Sequence, residues 1–204
     1  MEQAAFASEI ARVLSMEADS LAGLTRALDM EAVYRVAQAI ARCTGRVVLS
    51  ACGTSGMAAK KIMHSLNCIE RPAFFLVPSD AVHGGLGMLQ GDDILILISK
   101  GGNTSELTRL IPACRAKSAL LVGVSENPES VIAKEADIFL KIKVEREPDR
   151  FNMLATASTL AVIATFDAIC IALMQITNYT KDQFAIIHPA GAVGDRLLGK
   201  TKDK

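Results

Sequence analysis

Along the first 43 residues apolar side chains recur at helical spacing, and after that the period changes. Phe6, Ile10, Val13, Leu14, Leu21 and Leu24 are separated by Glu9, Arg12 and Glu17, which predicts an amphipathic helix with one polar face. Val33, Val36, Ala37 and Ile40 predict a second helix from about Met30 to Cys43, closed by Thr44-Gly45. From Arg46 onward short β-branched runs alternate with turns and helical segments. Arg46–Ser50, Pro72–Val77, Ile94–Ser99, Ala119–Ser125 and Asp137–Val144 read as five strands. The third run, ILILIS, is apolar almost throughout, as expected of a central parallel strand buried on both faces. The fifth places Lys141 and Lys143 in alternation, which marks a half-exposed edge.

Helices are predicted between these runs. One carries Ala58, Ala59, Ile62, Met63 and Leu66, one spans Asn103 to Lys117, and a short one spans Asn127 to Ala136. The glycines within residues 78–88 argue against a long helix there. The segment from Leu154 to Ile176 is long and apolar enough to raise the question of a membrane span. Asp167 in its middle, with Thr156, Ser158, Thr159 and Thr165, makes a buried helix the better reading. The tail is expected to form a short helix, a turn around His188–Gly191 and a last helix from about Ala192. Strands alternating with helices predict an α/β fold: a three-layer αβα sandwich on a five-stranded parallel sheet in flavodoxin-like order. No low-complexity linker divides the chain. A single domain over 1–204 is therefore expected, with a helical segment at 1–44, a βα core at 45–150 and C-terminal helices at 151–199.

Composition narrows the function. Twenty-two basic residues balance 22 acidic ones, tryptophan is absent and aromatics make up 4% of the chain, so neither groove binding nor base stacking on nucleic acid is supported. Five scattered cysteines without CxxC spacing point to reduced thiols in a cytoplasm, and against a disulfide framework or a zinc site. The opening MEQAAFASEI carries early acidic residues and lacks the pattern of a signal peptide. No metal, cofactor, nucleic acid or membrane partner is expected.

Candidate chemistry lies in two glycine loops, each between a strand and a helix. Ala51-Cys-Gly-Thr-Ser-Gly56 follows the first strand, and Ser99-Lys-Gly-Gly-Asn-Thr104 follows the third. This layout aims free backbone N–H groups and a helix dipole at an anion, and Thr54, Ser55, Ser99 and Thr104 add hydroxyls. Neither loop is a GK[ST] phosphate loop or a full GxGxxG, so a nucleotide is not indicated. A phosphorylated small molecule is the expected ligand; a βα turn whose Asn103 or Thr104 only caps a helix is the competing reading. Glu106 sits in the first turn of the following helix, facing the same crevice or capping its own helix.

Taken together, ACGTSG, PSDAVHGGLGML, LILISKGGNTSE, GVSENPES, VEREP followed by ATAST, and HPAGAVGDRLL resemble the sugar isomerase (SIS) domain, in particular its arabinose-5-phosphate isomerases. The resemblance runs from about residue 30 to 199. It implies phosphate-binding roles for Gly53, Thr54, Ser55, Ser99, Lys100, Gly102, Asn103 and Thr104, and active-site roles for Glu106, His83, Glu147 and His188. It also implies a homodimer or homotetramer in which His83 or His188 acts across an interface. Thr54 stands where the family has a lysine implicated in activity, Lys100 where it has an asparagine, Gly101 where it has a serine and Gly85 where it has an aspartate.

An aldose–ketose isomerase opens the sugar ring, moves a proton between neighbouring carbons and stabilises an enediolate. A carboxylate or imidazole serves the first two needs and a cation or fixed donors the third. The retained carboxylates and histidines favour an enzyme; Thr54 favours a sugar-phosphate sensor without turnover. Judged without the resemblance, Glu147 within EREPDR reads as a solvated charge, His188 as a helix stop, Cys52 as a small filler and His64 as structural. Lys100 has two readings: it replaces the missing positive charge, or it points to solvent as most lysines do.

Overall fold

The computed structural model describes residues 2–197. Among these residues five strands, β1 (Val47–Ala51), β2 (Ala73–Phe75), β3 (Ile94–Ile98), β4 (Leu120–Ser125) and β5 (Ile138–Lys141), form one parallel sheet in the order β2-β1-β3-β4-β5. The flavodoxin-like order is therefore present. It reverses between β1 and β3, and the crevice beyond the carboxyl ends of those two strands is the topological switch point. The register pairs Ala51 with Ile98, so the two glycine loops leave the sheet side by side.

Side-chain alternation along the strands divides the interior into two layers. Val47, Leu49, Ile94, Ile96, Val122 and Val124 face α1 (Gln3–Ala27), α2 (Met30–Arg42), α3 (Gly53–Asn67) and α8 (Ala157–Ile176). Val48, Leu95, Leu97 and Leu121 face α4 (Pro78–Ala81), α5 (Ser105–Thr108), α6 (Ile111–Ala116) and α7 (Val131–Glu135). Helices α9 (Lys181–Ile187) and α10 (Gly191–Leu197) close the described chain; residues 198 and 199, expected to extend the last helix, lie outside it.

Several boundaries differ from expectation, each for a local reason. The helix predicted over Asn103–Lys117 is two short helices, because Pro112 has no N–H to donate and its ring crowds the carbonyl one turn back. The fifth strand stops at Lys141 rather than Val144, although Ile142 and Val144 remain buried. The helix expected from Asn127 begins only at Val131, where the Ser130 hydroxyl accepts from Ala133 N–H. The long apolar helix begins at Ala157 rather than Leu154, since Asp149 gathers the N–H groups of Phe151, Met153 and Leu154 into a tight loop. Helix α8 could span a bilayer by length and composition, yet it lies against α1, α2 and α3 through Ala157, Ala161, Thr165, Phe166, Ile169, Cys170 and Leu173. Leu160 and Ile171 on its other side are exposed.

Asp93 ties the amino ends of β1 and β3 together. It is buried and accepts from Arg46 N–H (2.7 Å), Gln90 N–H (2.8 Å) and the Arg46 guanidinium (3.0 Å). Burial alone would raise its pKa, but the Arg46 side chain and the two backbone donors outweigh it and hold the carboxyl below its ordinary 3.8. Glu147, described below, is likewise held below its ordinary 4.5. A depressed folded-state pKa stabilises the fold above the unfolded-state value and loses that contribution as pH falls through the folded one. Urea-unfolding free energies are accordingly expected to be flat from neutral pH to about 5 and to drop progressively below about 4. Equal stability at pH 6 and at about 3 would contradict the assignment of either carboxylate.

Candidate active site

The loop after β1 turns into α3 through Gly53, whose φ of +56° is left-handed and favours glycine. Cys52 provides no side-chain cap, and among the described residues the N–H groups of Gly53, Thr54 and Ser55 have no acceptor. The first turn of a 15-residue helix thus directs unfilled donors and the positive end of its dipole at the switch point. Thr54 is exposed and Ser55 half-buried.

The loop after β3 is closed by its own hydroxyls. Ser99 Oγ accepts from Gly102 N–H (3.0 Å) and shares a hydrogen bond with Thr104 Oγ1 (2.8 Å). The two residues expected on phosphate therefore also hold the loop's shape. Gly102 has a φ of +72°, and any Cβ there would overlap the Ser130 side chain and lie 2.8 Å from Ser125 Oγ. Asn103 turns away from the crevice, its Oδ1 accepting from Val131 N–H (2.8 Å) at the start of α7. The Lys100 carbonyl accepts from Ser125 Oγ (2.8 Å) and Glu126 N–H (3.1 Å), which knits this loop to the end of β4.

Lys100 and Glu147 meet across the crevice. Lys100 Nζ lies 2.7 Å from Glu147 Oε1, so the lysine does not simply point to solvent. Glu147 is fully buried rather than solvated. Its Oε1 also accepts from Ser158 Oγ, and its Oε2 from Thr156 N–H (3.0 Å) and Ser158 N–H (3.3 Å) at the start of α8. Thr156 makes no side-chain cap, so the Glu147 carboxylate fills that place and lies on the positive end of the helix dipole. Burial pushes the Glu147 pKa up; the Lys100 and Ser158 side chains and the two α8 amides reverse this and lower it.

The pocket between the loops is small, about 40 Å³, with Ser55, Ser99, Lys100, Ser125, Ser158 and Thr159 on its walls. A larger cleft of about 410 Å³ opens at the amino ends of the strands. Within it Arg115 pairs with Asp137 at 2.7 Å, and Asp93 on its wall is taken by Arg46 at 3.0 Å. Ser55, one of the three residues with unfilled amides, lies on the wall of the smaller one. Ser125, Ser158 and Thr159 are not among the site residues expected from the sequence; their available signal is the position of Ser125 at a strand's carboxyl end and of the other two at a helix start.

The remaining candidates are placed unequally. Glu106 is exposed in the first turn of α5 and accepts from Ser105 Oγ (3.0 Å). Its own backbone N–H and the Ser105 hydroxyl hold its pKa below the ordinary value. Burial first, and the Glu106 charge second, raise the Cys52 thiol. His83 is exposed in the turn that follows α4, beyond the carboxyl end of β2. His188 is not brought to the crevice by its own chain. Its ring stacks on Phe184 at 4.0 Å, its Nδ1 lies 3.0 Å from the Phe184 carbonyl, and Gln183 of the same helix bonds Glu70 beyond the far end of α3. His64 lies exposed on α3, 3.6 Å from Cys68 Sγ, away from both loops.

The SIS domain family pattern matches residues 40–173. The arabinose 5-phosphate isomerase KdsD of Yersinia pestis is 38% identical over 192 residues, which are 94% of this chain and 58% of that protein. The arabinose 5-phosphate isomerase GutQ of Escherichia coli K12 is 40% identical over 166 residues, 81% of this chain and 52% of its own length. The chain thus spans little more than half of these relatives. Among solved structures, a candidate sugar-phosphate isomerase from Listeria monocytogenes superposes with a TM-score of 0.92 at 59% identity, covering 93% of this chain and 100% of that one. The Escherichia coli CFT073 protein c3406, solved in complex with A5P, superposes with a TM-score of 0.88 at 26% identity over 93% of this chain and 100% of its own.

Proposed function

We propose, from the premise that this chain belongs to the SIS domain family, that it is an aldose–ketose isomerase of a pentose phosphate such as arabinose 5-phosphate, with ribulose 5-phosphate as product. One observation carries the reading. The pairing of Ala51 with Ile98 sets the unfilled N-terminus of α3 beside the hydroxyl-bearing loop that leads into α5, whose first turn carries Glu106. In this reading the amides of Gly53, Thr54 and Ser55 and the hydroxyls of Ser55, Ser99 and Thr104 hold phosphate, while Gly102 and Asn103 keep the second loop in shape.

The reaction needs only proton movements. A base takes the proton from the second carbon of the open aldose, and that bonding pair becomes the double bond to the first carbon. The carbonyl pair moves to the first oxygen as an alkoxide. Protonation of the first carbon, with transfer of the second hydroxyl's proton to the first oxygen, yields the ketose. Glu106 is ionised at neutral pH and suits the base. In this reading His83, exposed beyond the carboxyl end of β2, serves ring opening, and His188 requires a second copy of the chain to reach a crevice. A homodimer or homotetramer is accordingly part of the proposal, supported by exposed apolar residues Phe6, Ile10, Leu14 and Ile171. A cytoplasmic setting fits the scattered thiols. A sensor that binds without turnover is the second reading, favoured by the exposed Thr54 in place of a cation.

Thermal-shift titration with a pentose phosphate and the unphosphorylated pentose tests the ligand class. Only the phosphate ester is expected to stabilise the protein, and equal stabilisation by both sugars would remove the basis for a phosphate site. Ser55→Ala, which removes a hydroxyl from the pocket wall without touching the loop-closing bonds, is expected to weaken phosphate-ester binding by roughly 1.5–3 kcal/mol.

A further inference from the structure

We infer that Lys100 is the catalytic cation of this site, donating to the oxygen that becomes negative in the enediolate, and that Glu147 is the residue that positions it rather than a proton-abstracting base. The inference rests on the isomerase reading above and changes the role of both residues within it.

Glu147 has no capacity left for a substrate. An ionised carboxylate offers about four lone-pair sites, and here Lys100 Nζ, Ser158 Oγ, Ser158 N–H and Thr156 N–H occupy them. The side chain has no exposure to the crevice. What the carboxylate does is orient one N–H of Lys100. The ammonium keeps two further donors, its side chain is 39% exposed, and among the described residues it is the one cation on the wall of the pocket with Ser55 and Ser158. Its backbone is fixed from behind by Ser125 and Glu126. A flexible stem is thereby held at both ends, its backbone in the loop and its head on a carboxylate locked to the α8 N-terminus. Such a cation is set in place before charge develops, which is the condition for strong transition-state stabilisation. Thr54, on the facing loop, supplies no charge.

Steady-state kinetics on arabinose 5-phosphate test this with three variants. A wild-type protein inactive on every pentose and hexose phosphate tested would end the isomerase reading, and this inference with it, before any variant is made. Given an active wild type, Lys100→Met is expected to lower kcat and kcat/KM together by about 100-fold or more, with KM nearly unchanged. A rise in KM with kcat intact would make Lys100 a phosphate holder and overturn the inference, as would full activity. Because Lys100→Met leaves a buried carboxylate unpaired, the double variant K100M/E147Q, which removes both charges, is the check on folding. It is expected to recover thermal stability while kcat stays low; recovery of both would reduce Lys100 to a structural role and overturn the inference. Glu147→Gln is expected to lower kcat yet keep the acidic limb of the pH profile of kcat/KM. Loss of that limb would make Glu147 the base.

Discussion

Replacing Glu147 by alanine is expected to destabilise the protein by roughly 2–4 kcal/mol, lowering its melting temperature by about 5–15 °C. The substitution strands the Lys100 ammonium, frees the Ser158 hydroxyl and removes the acceptor for the first amides of α8. The lysine is partly exposed and can re-solvate, which keeps the loss below that of a fully buried pair. Glu145, two residues earlier and exposed, is the control: Glu145→Ala should change stability by no more than about 0.5 kcal/mol. Denaturant unfolding of both variants measures the contrast, and two equal, small effects would refute the structural role given to Glu147.

The second large effect is expected at Gly102. Gly102→Ala meets two obstacles, a left-handed φ of +72° and overlap with the Ser130 side chain. Strain of about 1–3 kcal/mol from the backbone and a similar amount from overpacking add to roughly 2–6 kcal/mol. Relief requires the loop after β3 to lift from the β4 side, and this would break the Ser99–Gly102 bond as well. Sugar-phosphate affinity should therefore fall along with stability. Gly101 is one residue away with an ordinary φ and open space around it, and Gly101→Ala should be close to neutral in unfolding experiments. Equal behaviour of the two alanine variants would show that the loop does not depend on the close approach at Gly102.

The parts of this molecule that were legible in advance are those written in local pattern. Apolar runs such as ILILIS declare a two-sided central strand, and the glycines at 53 and 102 sit where left-handed turns are needed. Pro112 is equally visible, but Leu107, Leu110 and Ile111 keep helical spacing through the break at 109–110 and hide it. Glu147 could not be read this way. It lies among charged neighbours in EREPDR, and its burial depends on α8 amides and a hydroxyl 9 and 11 residues later and on a lysine 47 residues earlier. Lys100 is the same case from the other side, since nothing near it in sequence predicts an acidic partner. His188 illustrates a different limit: among the described residues its ring meets Phe184 of the preceding helix, and no spacing in the sequence reveals where that ring points.

The central claim is that the crevice between the loops after β1 and β3 moves a proton between neighbouring carbons of a sugar phosphate. The most direct measurement is proton NMR of arabinose 5-phosphate and related pentose and hexose phosphates incubated with the protein in D₂O. The account predicts that at least one ester is converted to its ketose with deuterium appearing at the carbon that gains the proton. Binding of those esters with neither ketose formation nor deuterium uptake across the panel would contradict it and leave a sensor in its place.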